Sequence, residues 1–181
     1  MQLIPTKISD LFLVQPKVFE DARGYFFESY NKEVFQKAGI KDEFLQDNQS
    51  LSQKGVLRGL HFQNPPHAQA KLVRVITGSV LDVAVDIRKN SPSYGQHVAE
   101  ILSAQNKTMM LIPEGFAHGF LVLEDNTIFS YKCSRLYNKE SEEAILWNDA
   151  DIGIEWGIKN PILSEKDRIA KQFKDFITKF I

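Results

Sequence analysis

Apolar residues recur at every second position through much of this chain, with short polar turns between the runs. Within residues 71–88, Leu81, Val83, Val85 and Ile87 share one face, while Asp82, Ala84 and Asp86 share the other. That two-residue period is the signature of a strand. Gly78-Ser79 interrupts the run, which predicts a hairpin or a bulged bend there. Residues 11–18 and 24–30 read as strands around a turn at Asp21-Ala22-Arg23-Gly24. Residues 109–112, 119–123 and 127–134 supply further strands, with Glu124-Asp125-Asn126 as a turn. Asn31 is placed to cap a short helix running to Lys37, which Gly39 would stop. The C-terminus follows a different period. From Ser164 onward Ile169, Phe173, Phe176, Ile177 and Phe180 recur at helical spacing, predicting a helix over residues 164–180 packed on the domain. Many short strands and few helices indicate an all-β sandwich or barrel.

A length of 181 residues suits one domain over residues 1–181, with a real core. The formal net charge of −1 gives no general attraction for nucleic acid or an anionic membrane, so neither is expected as a partner. The 13 phenylalanines are many for this length and point to a broad aromatic core or an aromatic-lined pocket. Cys133 is the only cysteine, which rules out an intrachain disulfide and a cysteine zinc site. It lies in a strand-like run and reads as a small buried hydrophobe. The first residues lack the apolar core of a signal peptide, and no run approaches the ~18 apolar residues of a membrane span. A cytoplasmic protein is the simplest expectation.

The chemistry concentrates in Gly55-Val56-Leu57-Arg58-Gly59-Leu60-His61-Phe62-Gln63, followed by Lys71-Leu72-Val73. Arg58, His61 and Lys71 stand among strand residues, and buried cations are costly unless paired or used. Arginine grips phosphate in a bidentate fork, histidine titrates near neutrality, and lysine can steady a developing oxyanion. The other histidines are His118, in a strand after a Pro-Gly turn, and His67 and His97, which read as surface. A metal site is not expected. The position two beyond His61 is Gln63, and no Asp or Glu occurs between Arg58 and Lys71. Asp167, in Ser164-Glu165-Lys166-Asp167, suits a capping box, or alternatively a carboxylate that orients a catalytic imidazole. Tyr131 alternates with Phe129 and Cys133 and points inward, either as core with a satisfied hydroxyl or as an acid.

Taken in order, these motifs resemble the dTDP-4-dehydrorhamnose 3,5-epimerase family. The resemblance rests on Phe19 to Glu28, Gln46-Asp47-Asn48-Gln49-Ser50, the Gly55–Gln63 run, Gln69-Ala70-Lys71-Leu72-Val73 and residues 78–86. Residues 112–120, Tyr131-Lys132, Trp147-Asn148-Asp149 and Leu163 to Asp167 complete it. It implies a double-stranded β-helix, the cupin-like jelly roll, with a short helix and a C-terminal helix. It also implies inversion of C3 and C5 of dTDP-4-dehydro-6-deoxy-D-glucose through an enolate, giving dTDP-4-dehydro-L-rhamnose for dTDP-L-rhamnose biosynthesis, without a cofactor. By motif, His61 is the base, Asp167 its orienting partner, Tyr131 the acid and Lys71 the enolate stabiliser. Arg58 contacts diphosphate, and Gln46, Asn48, His118, Tyr137 and Glu142 complete the substrate pocket. Lys139 and Ala144 depart from the proline and glycine common in the family. A homodimer is implied as well, in which Arg23, Phe26 and Glu28 reach the neighbour's pocket. The alternatives are epimerisation of a single carbon of another dTDP-4-keto-6-deoxy sugar, or a non-catalytic sugar-nucleotide binding barrel.

Overall fold

The alternating runs form strands that fill two facing sheets and one separate hairpin, in a computed structural model that describes residues 1–181. The six-stranded sheet runs β1 (Gln2–Pro5), β2 (Phe12–Gln15), β10 (Met109–Ile112), β7 (Lys71–Thr77), β12 (Thr127–Cys133), β5 (Gln46–Ser52). The five-stranded sheet runs β13 (Glu142–Ala144), β6 (Leu57–Gln63), β11 (Phe116–Val122), β8 (Ser79–Asp86), β9 (His97–Ser103). Strands β3 (Phe19–Asp21) and β4 (Gly24–Phe26) pair only with each other. Every pairing within these sheets is antiparallel. This is the jelly roll expected from the motifs.

Three apolar layers hold the sheets. The inner one lies between them, where Val73, Val75 and Phe129 of the six-stranded sheet meet Ala84, Phe116 and Phe120 of the other. The second covers the outer face of the five-stranded sheet, where Val83, Val85 and Ile87 pack with Trp156, Phe176 and Phe180. In the third, Val14, Leu72, Met109 and Leu111 pack beneath Phe35 and Ile40. Strand β8 is therefore buried on both faces. The alternation read from its sequence separates two cores, rather than core from solvent, and it carries Asp82 and Asp86 inside at 0% exposure.

Gly78 marks a change of sheet. Strand β7 ends at Thr77 and pairs with β10 and β12, whereas β8 begins at Ser79 and pairs with β9 and β11. The interruption is thus a bend between sheets and not a hairpin. Gly78 has φ +80°, and a Cβ there would meet Thr127 Oγ1 at 2.2 Å, so only glycine fits. Helix α1 (Lys32–Lys37) forms as expected, with Asn31 Oδ1 accepting the Val34 N–H at 3.3 Å.

The C-terminal helix is much shorter than its apolar stripe suggests. Ser164 caps α2, which spans only Glu165–Arg168, and a 3₁₀ turn follows at Phe173–Asp175. The rest runs as a strap over the five-stranded sheet. Its backbone bonds go to the barrel: Leu146 N–H to the Lys171 carbonyl at 2.8 Å and Lys89 N–H to the Phe180 carbonyl at 2.9 Å. Phe176 and Phe180 are buried against Phe62, while Ile169 and Ile177 are exposed at 73% and 87%. Tertiary hydrogen bonding and two aromatic anchors outweigh the weak intrinsic preference of one short amphipathic segment. His97 also differs from expectation: it opens β9 and is half-buried rather than lying on a surface loop.

Candidate active site

Both sheets send polar side chains into the cleft between them. Strand β6 brings Arg58 and His61, β11 brings His118 and β13 brings Glu142, while β7, β12 and β5 bring Lys71, Tyr131, Gln46 and Asn48. Register fixes their neighbours. His61 stands opposite His118 on one side and Ala144 on the other, and Tyr131 stands opposite Asn48. Gly59 permits this arrangement, since a Cβ at its φ of +131° would lie 2.5 Å from the Gly119 Cα. Two adjoining hollows of about 130 and 160 Å³ share His61, Lys71 and Tyr131 in their walls.

His61 is held from behind. His61 Nε2 lies 2.5 Å from Asp167 Oδ1, and the Asp167 side chain is 3% exposed. Burial pushes the Asp167 carboxyl up, but the hydrogen bond and charge of His61, with help from Ser164 and Lys166, hold it below the usual carboxylate range. An ionised Asp167 accepts the Nε2 proton, so Nδ1 keeps the lone pair that can receive a proton. Ser164 Oγ accepts the Asp167 N–H at 3.2 Å and donates to Asp167 Oδ2 at 2.8 Å. The two readings of Asp167 are therefore one arrangement, in which the helix cap orients the imidazole through its own aspartate.

On the facing sheet, burial pushes the Tyr131 hydroxyl up, against the smaller opposing effects of its hydrogen bond to Asn48 and the charge of Arg58. It is protonated at neutral pH and available as a donor. Lys71 is 9% exposed, with its ammonium 6.0 Å from the centre of the Tyr131 ring. Burial lowers its affinity for a proton, while Cys133, Asp82 and Glu142 favour the charged form. In its charged form a desolvated ammonium interacts strongly with any negative charge that forms beside it.

The remaining positions each have a visible support. His118 is 6% exposed, and its Nε2 lies 2.9 Å from Asp82 Oδ2, so it is both a hydrogen-bonded core residue and part of the cleft wall. Arg58 donates to Ser52 Oγ at 3.1 and 3.3 Å. Tyr137 donates to Glu142 Oε2 at 3.0 Å, and Lys166 pairs with Glu142 Oε1 at 2.5 Å. Sequence reasoning missed Asp82, Ser52 and Lys166 as supports. The available signal was an acid inside an otherwise apolar strand for Asp82, and polar residues at every second position of β5 for Ser52.

Three expected positions stand apart from the cleft of their own chain. Arg23, on the turn of the β3–β4 hairpin, pairs with Asp21 at 2.5 Å, and Phe26 is 66% exposed. Glu28 accepts from Asn31 Nδ2 at 2.9 Å. Arg23 and Phe26 instead line a separate hollow formed by the hairpin itself. No group of three His, Cys, Asp or Glu side chains is placed to hold a metal ion, and no helix is long and apolar enough to cross a membrane.

Known proteins share this fold over almost the entire chain. The family model for dTDP-4-dehydrorhamnose 3,5-epimerase matches residues 5–175. A dTDP-4-dehydrorhamnose 3,5-epimerase from Shigella flexneri is 55% identical over 176 residues, covering 97% of both chains. The crystal structure of the enzyme of that name from Elizabethkingia anophelis superposes with a TM-score of 0.93 at 51% identity, covering 97% of each chain. A dTDP-6-deoxy-D-glucose-3,5-epimerase from Legionella pneumophila, solved in complex with dTDP-4-keto-L-rhamnose, gives a TM-score of 0.93 at 47% identity, covering 97% of this chain and 94% of its own. With the family model spanning residues 5–175 and relatives at 55% and 51% identity over nearly the whole length, this chain is a member of the dTDP-4-dehydrorhamnose 3,5-epimerase family.

Proposed function

We propose that the cleft inverts C3 and C5 of dTDP-4-dehydro-6-deoxy-D-glucose, producing dTDP-4-dehydro-L-rhamnose for dTDP-L-rhamnose biosynthesis. The observation that carries this reading is the origin of His61 and Tyr131 on opposite sheets, facing each other across one cleft. Both target carbons flank the C4 ketone, so removal of either proton gives an enolate. His61 Nδ1 takes the proton, and the C–H electron pair becomes the C=C bond as negative charge moves to O4. Lys71 stabilises that charge, an interaction stronger in the transition state than in the bound ketone. Tyr131 then donates its proton to the opposite face of the same carbon. The resulting phenolate is reprotonated and the imidazolium returns its proton to solvent, so atoms and charge balance without electron transfer. A repeat at the second carbon completes the isomerisation. Arg58 holds the diphosphate, while Gln46, Asn48, His118, Tyr137 and Glu142 position the sugar nucleotide.

We place the active unit as a homodimer. The β3–β4 hairpin pairs with no other strand and presents Phe19, Tyr25 and Phe26 at 53%, 57% and 66% exposure. An apolar projection of this kind is a candidate for burial against another subunit, and it would carry Arg23, Phe26 and Glu28 to the neighbour's cleft. The chain acts as one domain over residues 1–181. A cytoplasmic setting would keep the buried Cys133 thiol reduced.

Tyr131→Phe tests the acid. The substitution keeps the ring against Phe129 and removes only the donor. Net inversion should fall by about 10²–10³-fold, while His61-dependent exchange of the C3 and C5 protons in deuterated water falls much less. Equal loss of exchange and inversion would remove Tyr131 from the role of acid.

A further inference from the structure

Strand β5 turns a polar side chain inward at four successive alternate positions: Gln46, Asn48, Ser50 and Ser52. Such groups facing a barrel interior carry a cost unless each finds a partner. Three of them do. Gln46 Oε1 accepts the Tyr137 N–H at 2.9 Å, Asn48 Oδ1 accepts from Gln46 Nε2 at 2.9 Å, and Ser52 Oγ accepts from Arg58. Ser50 Oγ is buried without a hydrogen-bond partner in the protein. Its cross-strand neighbour is Phe129, which offers none, and the residue lines the hollow walled by Arg58, His61, Lys71, His118 and Tyr131.

We propose that Ser50 Oγ hydrogen-bonds the C2 hydroxyl of the sugar and sets a preference for 2-hydroxy substrates. This inference rests on the epimerase reading above. The register of β5 and β12 places Ser50 between two levels of the cleft, Asn48 with Tyr131 on one side and Ser52 with Arg58 on the other. Successive inward positions on a strand lie about 7 Å apart, roughly the breadth of a hexose ring. Tyr131 serves the inverted carbons and Arg58 the diphosphate on C1, so the intervening level corresponds to C2. The C3 hydroxyl is a poorer match, because inversion at C3 moves it to the other face. The C2 hydroxyl keeps its configuration throughout, as a fixed hydrogen bond requires.

Comparing Ser50→Ala with the wild type on dTDP-4-keto-6-deoxyglucose and on its 2-deoxy analogue tests the assignment. The wild type should favour the 2-hydroxy substrate by about 10- to 100-fold in kcat/KM, the effect of leaving one buried polar group unpaired. In the variant that ratio should fall to near one, entirely through loss on the 2-hydroxy substrate. The thermal midpoint of the ligand-free variant should equal or exceed that of the wild type, because a buried unpaired hydroxyl has been removed. Affinity for dTDP alone should be unchanged. Equal loss on both substrates, a preference undiminished by the substitution, a lowered midpoint or weakened dTDP binding would each overturn the contact to C2. A wild type that epimerises neither sugar overturns the epimerase reading, and this inference with it.

Discussion

His61→Asn should lower epimerisation by about 10⁴-fold, with loss of proton exchange at both carbons, because one base serves both inversions. Asparagine is shorter and ends before the Nε2 position, but Asp167 keeps Ser164 Oγ as a donor to Oδ2, so the fold should survive. What disappears is the lone pair at Nδ1. No other group in the cleft replaces it. Burial pushes the Glu142 carboxyl up, but its bonds to Lys166 and Tyr137, together with the charges of Lys166 and His61, hold it below the usual range, making it a weak base. His118 faces Asp82 within the wall at 6% exposure. Steady-state turnover and deuterium incorporation, measured on protein with unchanged circular dichroism, check the expectation. Near-normal exchange in the variant would mean that a different group removes the proton.

A mixture of two inactive variants should recover activity. One carries Arg23→Ala and Glu28→Ala with its own His61 intact, and the other carries His61→Asn with an intact hairpin. Each homodimer lacks one half of every site. A heterodimer holds one complete site, formed by His61 of the first subunit and the hairpin of the second. A statistical mixture is half heterodimer, so roughly a quarter of wild-type activity is expected from rates each parent falls far below. Recovery should follow subunit exchange and track the heterodimer resolved by native mass spectrometry. A mixture as inactive as its parents, with heterodimer present, would show that each cleft is built within a single chain.

Local features of the fold were legible in the sequence because local chemistry causes them. Asn31 caps α1 through its own side chain, and Asp21-Ala22-Arg23-Gly24 closes the β3–β4 hairpin. Features set by distant partners were not. Whether Gly78 made a hairpin or a bend depended on where β7 and β8 found their neighbours, and those lie on opposite sheets. The aromatic stripe after Ser164 matched a helix in spacing, yet its backbone is committed to Lys89 and Leu146. The site shows the same division. Arg58, His61 and Lys71 stood out as costly groups in strands, whereas Asp167 could be read as a cap because its partner lies 106 residues away. Only the folded chain shows one carboxylate doing both, and only the motif resemblance singled out Tyr131 as an acid.

The central claim is that one base and one facing acid act at both carbons beside the ketone. Its most direct test is a nuclear magnetic resonance time course of the wild-type protein with dTDP-4-keto-6-deoxyglucose in deuterated water. The account predicts deuterium at both C3 and C5, with a product inverted at both. Deuterium and inversion confined to one carbon, or exchange at neither, would contradict it.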